Sequence, residues 1–165
     1  MMVSRNHNDG SRIALQALRF FASEGDLQVV IAERAASKSI PAFFEGIDGA
    51  CGMENYLLGV ACIFVTYRGA LLDESLGEEG IDALEDFSHR LLVLMGENRV
   101  NAWGRSEVVE GRIWCSLRRD AVRAYEQLRT ECVVDDCCLE FKIDELIDPD
   151  EFRTTPVAKK FLSEN

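Results

Sequence analysis

The sequence predicts a mainly α protein, a compact single-domain helical bundle around a buried element at 56–72. Three observations favour this fold class. Residues 56–67 carry no charge, although 28% of the chain is charged. Residues 81–95 and about 107–130 repeat apolar side chains at helical spacing. The chain also has only three prolines, so few positions interrupt a helix.

The uncharged run from Tyr56 to Tyr67 is predicted to lie at the bottom of the core. It is too short to cross a membrane, because a spanning helix needs roughly 20 apolar residues. Glu54 and Arg68 also flank it closely. Its β-branched residues suit a strand, whereas the apolar character that continues through Leu72 suits a helix. We expect a helix, and a buried strand stays open.

The alternative fold is an α+β domain in which 56–67 and 137–143 are strands. In the second segment Leu139, Phe141 and Ile143 alternate as in a half-buried strand, but the surrounding apolar spacing fits a helix nearly as well. The sequence leaves helix and strand undecided for three segments: 27–33, 56–67 and 137–143.

Two helices are predicted near the N-terminus. Ser11 can cap the first and Gly25 can end it. Its apolar face comprises Ile13, Ala14, Ala17, Leu18, Phe20 and Phe21. Asp26 can cap a second helix that continues to about Ser37. Its predicted apolar side comprises Leu27, Val30, Ile31 and Ala35.

Two further helices have the clearest apolar stripes. In 81–95 the predicted buried residues are Ile81, Leu84, Phe87, Leu91 and Met95. After a predicted loop at 101–105, the helix at 107–130 has a stripe of Ile113 or Trp114, then Leu117, Ala121, Tyr125 and Leu128. We expect Arg112, Arg119 and Arg123, on another face, to be solvated or paired with carboxylates.

Length and composition indicate one intracellular domain. The 165 residues suit a single domain at 11–165 after a disordered lead-in at 1–10. The first residues lack the apolar core of a secretory signal, which predicts a cytoplasmic protein. Of the six cysteines, Cys51, Cys62 and Cys115 lie among apolar residues. Reduced, mostly buried thiols are therefore expected.

The charge balance predicts the kind of partner. The net charge is −11, which argues against direct binding to nucleic acid or to an anionic membrane. It would instead speed the encounter with a basic protein.

The acidic residues concentrate in two segments. Every charged residue in 73–86 is acidic, and Lys142 is the only basic residue in 131–151. A solvated face is the ordinary reading of such a run, and a surface for a basic partner is the functional one. The predicted binding residues are Asp135, Asp136, Glu140, Asp144, Glu145, Asp148, Asp150 and Glu151, with Phe141 and Phe152 as apolar anchors. A second acidic patch is predicted from Asp73, Glu74, Glu78, Glu79 and Asp82.

Motifs for catalysis or metal binding are sparse. The chain contains no GxSxG, HExxH, GxGxxG or P-loop pattern. Cys51 in a glycine-rich segment, with His89 as base, is the runner-up catalytic hypothesis, and a carboxylate-only site is a further one. Cys132, Cys137 and Cys138 lack the paired spacing of a zinc site. We therefore predict no cofactor and no metal, although the sequence leaves metal binding by these three cysteines unsettled.

The function that these features favour is a non-catalytic one. We expect a small acidic interaction protein that binds and blocks or neutralises a basic protein. Immunity proteins, antitoxins and phage-type inhibitors of nucleic-acid enzymes share this size, acidity and lack of catalytic motifs. The alternatives are a small enzyme and a helical homodimeric scaffold subunit.

Overall fold

The computed structural model describes residues 7–36, 52–72, 76–96 and 100–129. These residues form the helices α1 His7–Ala22, α2 Gly25–Ala36, α3 Gly52–Leu72 and α4 Glu78–Gly96, a 3-10 helix Val100–Trp103, and the helices α5 Arg105–Glu110 and α6 Arg112–Arg129. No strand occurs in these ranges, so the predicted mainly α fold is confirmed.

The strand alternatives are wrong wherever the structure describes them. Residues 56–67 lie inside α3, and 27–33 lie inside α2. Residues 56–64 of α3 are buried on every side of the helix. A helix suits such a segment because its backbone N–H and C=O groups bond to each other within the helix. The segment 137–143 lies outside the described residues.

The helix α3 is the centre of the core, as predicted. Every residue from Tyr56 to Phe64 is buried. The rings of Phe64 and Phe87 meet edge to face with centroids 4.9 Å apart, which joins α3 to α4. Among the helices in the described ranges, none has the continuous apolar length that a membrane span requires.

The helix α1 packs antiparallel against α3. Its C-terminal Phe20 contacts Tyr56 near the start of α3, with ring centroids 6.0 Å apart. At the other end, the hydroxyl of Ser11 donates a hydrogen bond of 3.1 Å to the carbonyl of Ala70. The predicted apolar face of α1 is buried. The helix begins at His7, so the predicted cap at Ser11 and the lead-in at 7–10 are corrected: Ser11 lies inside the helix and bonds α3.

Two predicted apolar faces need correction. In α2, Leu27 and Val30 are 42% and 49% exposed, while Gln28, Val29, Ile31 and Ala32 are buried. In α4, Ile81 is 38% exposed, although the other members of its predicted stripe are buried. Both helices carry apolar residues on more than one side, and packing selects which side is covered.

The predicted single helix at 107–130 is two helices that meet at Gly111. The backbone of Gly111 is extended, and its N–H donates to the carbonyl of Glu107 at 2.8 Å. A Cβ at this position would lie 2.6 Å from the same oxygen, so any other residue would force the backbone to shift. The predicted loop at 101–105 is also wrong, because Trp103 is fully buried in the 3-10 helix against Trp114 of α6.

Candidate protein-binding surface

The N-terminal half of α4 presents carboxylates to solvent. Glu78, Glu79, Asp82 and Glu85 are all exposed, and these four residues are termed the acidic patch. They make no ion pair with any residue in the described ranges. Glu78 and Glu79 lie in the first turn, where the helix dipole favours negative charge. Ile81, exposed among them, adds apolar surface.

The N-terminal half of α6 presents the opposite charge. Arg112 and Arg119 are exposed and make no ion pair within the described part of the chain. These two residues are termed the basic patch. Ile113, 39% exposed, lies beside Arg112. The prediction that Arg112, Arg119 and Arg123 share a solvated face is confirmed, and Arg123 is paired with a carboxylate.

Two ion pairs join α4 and α6 and show that the helices run antiparallel. Arg90 pairs with Asp120, and Arg123 pairs with Asp86 at 2.9 Å. An increase in residue number along α4 therefore corresponds to a decrease along α6. The acidic and basic patches consequently lie toward opposite ends of the helix pair.

An open groove of about 670 Å³ follows this helix pair. Its lining residues are Asp86, His89, Arg90, Val93, Arg112, Ile113, Ser116 and Asp120. Val93 and Ile113 supply apolar surface. Asp86 and Asp120 place carboxylates on the wall of the groove, and Arg90 and Arg112 place guanidinium groups there. The groove therefore combines an apolar strip with both signs of charge.

His89 is exposed on α4 and lines the groove. Cys51, the nucleophile for which His89 would be the base in the catalytic hypothesis, lies outside the described residues. Among the described cysteines, neither Cys62 nor Cys115 lines the groove. The Cys51 and His89 hypothesis stays a prediction.

The two described cysteines have different surroundings. Cys62 is buried in α3, and the loss of solvation raises the pKa of its thiol well above the ordinary value of 9.0. Cys115 is exposed on α6, so it is an exception to the expectation of mostly buried thiols. It lies on the side of α6 opposite the stripe that packs in the core.

No group of three potential metal ligands occurs in the part of the chain that the structure describes. Cys132, Cys137 and Cys138 lie outside it, so their role stays a prediction. The same is true of Asp73, Glu74 and the entire predicted binding segment, which comprises Asp135, Asp136, Glu140, Phe141, Asp144, Glu145, Asp148, Asp150, Glu151 and Phe152.

The sequence predicts the acidic patch in part and gives no sign of the groove. Glu78, Glu79 and Asp82 were predicted for it, and Glu85 extends it by one further turn of α4. The basic patch was visible only as spaced arginines, without a sign that it borders α4. Comparison of the chain with protein-family models, curated proteins and solved structures gives no match.

Proposed function

We propose that the chain is a small acidic interaction protein that binds a basic protein partner and blocks or neutralises it. The observation that carries this proposal is the acidic patch, whose exposed carboxylates make no ion pair with any residue that the structure describes. A net charge of −11 supports the same polarity over the whole chain.

The acidic patch suits the capture of a basic partner more than tight binding by itself. Clustered charge accelerates encounter and orients the partner. Each exposed ion pair contributes only about 0–1 kcal/mol, so affinity also requires apolar contact. Ile81, exposed within the patch, can provide some of it, and Phe141 and Phe152 are the further predicted anchors.

The mechanism that follows is steric and electrostatic occlusion. A bound partner would have its cationic surface covered, which would prevent that surface from engaging nucleic acid or another anionic substrate. An immunity protein, an antitoxin or a phage-type inhibitor of a nucleic-acid enzyme acts in this way. The activity would take place in the cytoplasm, where thiols such as Cys115 stay reduced.

Affinity capture from extract of the native host or of its competitor tests the proposal. Two variants with the same change of net charge are compared with the wild type: an acid-reversed chain and a matched control. The acid-reversed substitutions are Glu78→Lys, Glu79→Lys and Asp82→Lys. The control substitutions, away from α4, are Glu24→Lys, Asp26→Lys and Glu110→Lys. A third chain reverses the predicted segment outside the described residues, at Asp135, Asp136, Glu140 and Asp144.

The wild type and the control should retain the same basic protein in stoichiometric amount. The acid-reversed chain should bind it roughly tenfold more weakly or worse, since like charges then face each other. The third chain shows whether the C-terminal segment contributes. Absence of any stoichiometric basic partner, or equal affinity of all the chains for it, would contradict the proposal.

A further inference from the structure

We propose that a second copy of this chain docks on the α4 and α6 surface, so that the acidic patch of each copy meets the basic patch of the other. The result is a two-fold symmetric homodimer. This inference goes beyond the proposed function because it requires no foreign partner.

The antiparallel arrangement of α4 and α6 makes the surface self-complementary. The acidic patch lies on α4 at one end of the pair, and the basic patch lies on α6 at the other end. The two patches are therefore diagonal corners of one surface. A two-fold axis in the plane of that surface, oblique to the helices, exchanges these corners. Such an axis creates an isologous interface, in which both acid-to-base contacts form at once.

The groove supplies apolar surface beside the basic patch. Ile113, 39% exposed, lies on its wall next to Arg112. Val93, 49% exposed, lies in the groove on the α4 side, at the same end of the helix pair as the basic patch. Exchange of the corners therefore covers apolar surface as well as pairing opposite charges. Burial of these side chains supplies affinity, and the charges select the orientation.

The dimer would use the same acidic patch that a basic partner would use. In each copy the carboxylates of that patch outnumber the two guanidinium groups of the basic patch. Self-association therefore leaves negative charge unmatched. A partner with a more strongly basic surface would displace the second copy, so the two complexes exclude each other.

Sedimentation velocity on the full chain with paired charge reversals tests the dimer. The first variant is Asp82→Lys with Glu85→Lys, and the second is Arg112→Glu with Arg119→Glu. The wild type should pass from monomer to dimer between about 1 and 100 µM, the range of a modest interface, and should dissociate as salt rises. Each variant alone should associate at least roughly tenfold more weakly. In the first variant, two lysines beside Glu78 and Glu79 cancel the charge of the acidic patch, so it no longer attracts the arginines. In the second variant, both sides of each contact are acidic.

An equimolar mixture of the two variants should restore the dimer. In the mixed pair, the new lysines face the new glutamates and the native arginines face the native carboxylates. A control with Glu24→Lys and Asp26→Lys should dimerise like the wild type. Circular dichroism verifies that each variant is folded.

A wild type that stays monomeric to 100 µM overturns the dimer. Folded variants that dimerise as well as the wild type overturn it too, as does a mixture that stays monomeric. None of these results affects the capture of a basic protein by the acidic patch. Conversely, a chain that dimerises but captures no basic protein refutes the proposed function alone.

Discussion

The guanidinium of Arg118 in α6 donates a hydrogen bond to the side-chain oxygen of Gln28 in α2, 3.0 Å away. It also donates to the backbone carbonyls of Ser23 and Val108. Gln28 is fully buried, and its amide donates to the carbonyl of Phe20 at the end of α1. One arginine therefore ties α6 to α2, to α5 and to the connection after α1. Its acceptors include carbonyls at helix C-terminal ends, where the helix dipole favours a cation.

Replacement of Arg118 by methionine should lower the free energy of unfolding by roughly 2 kcal/mol, since three acceptors in a partly buried site lose their donor. Urea unfolding measures the change. The matched control is Arg119→Met on the exposed side of α6, which should change stability by less than about 0.5 kcal/mol. Equal effects at the two positions would mean that the Arg118 hydrogen bonds contribute nothing specific.

Replacement by alanine should lower the free energy of unfolding at Gly25 and raise it at Gly69. A Cβ at Gly25 would lie 2.9 Å from both the Arg118 guanidinium and the Val108 carbonyl oxygen, so the backbone of α5 must shift. We expect a loss of about 1–3 kcal/mol. A Cβ at Gly69, inside α3, meets nothing within 4 Å. Alanine at position 69 should therefore raise the free energy of unfolding by about 0.5–1 kcal/mol. Thermal unfolding of both variants checks the signs, and a stabilised Gly25→Ala would contradict the close packing.

Replacement by phenylalanine should lower the free energy of unfolding more at Trp114 than at Trp103. Both are buried and meet edge to face with ring centroids 5.7 Å apart. The indole N–H of Trp114 donates to the carbonyl of Ala102 at 2.7 Å, whereas that of Trp103 has no acceptor within the described residues. Trp114→Phe should therefore cost about 1 kcal/mol more than Trp103→Phe. Guanidinium unfolding of the two variants gives this difference, and a larger loss for Trp103→Phe would be the opposite of what the hydrogen bonding implies.

Cys115 should react with iodoacetamide well before Cys62. Cys115 is exposed, whereas Cys62 is buried. Burial raises the pKa of Cys62, which keeps its thiol protonated, and also blocks the approach of the reagent. Peptide mass spectrometry after timed labelling at pH 8 locates each modification. Cys62 should be modified only when denaturant unfolds the chain. Rapid modification of Cys62 in the native protein would refute its burial in α3.

The same pKa shift has a consequence for stability at alkaline pH. Above about pH 9, the ordinary pKa of a thiol, the unfolded chain loses the Cys62 proton while the folded chain keeps it. The unfolded state then binds fewer protons, so the contribution of Cys62 to stability is complete below that pH and falls as pH rises further. Cys62→Ala should flatten this part of the stability profile, as measured by urea unfolding from pH 8 to 10.

Helix formation was largely predictable from local sequence. The apolar face of α1, the uncharged run of α3 and most of the stripe in α4 agree with their predictions, because each pattern repeats within one helix. The assignment of faces failed for Leu27 and Val30 in α2. Apolar residues surround that helix, and its neighbours α3 and α5 decide which of them are covered.

The candidate surface, too, could be predicted from the sequence only in part. The sequence by itself determined a helical, strongly acidic chain with a carboxylate cluster at the start of α4, since composition, periodicity and charge are local properties. Only the tertiary structure decided that the arginines of α6 border α4 in antiparallel order, and that Arg118 bonds to Gln28, 90 positions earlier. Such contacts depend on which helix faces meet, and helix periodicity carries no information about that choice.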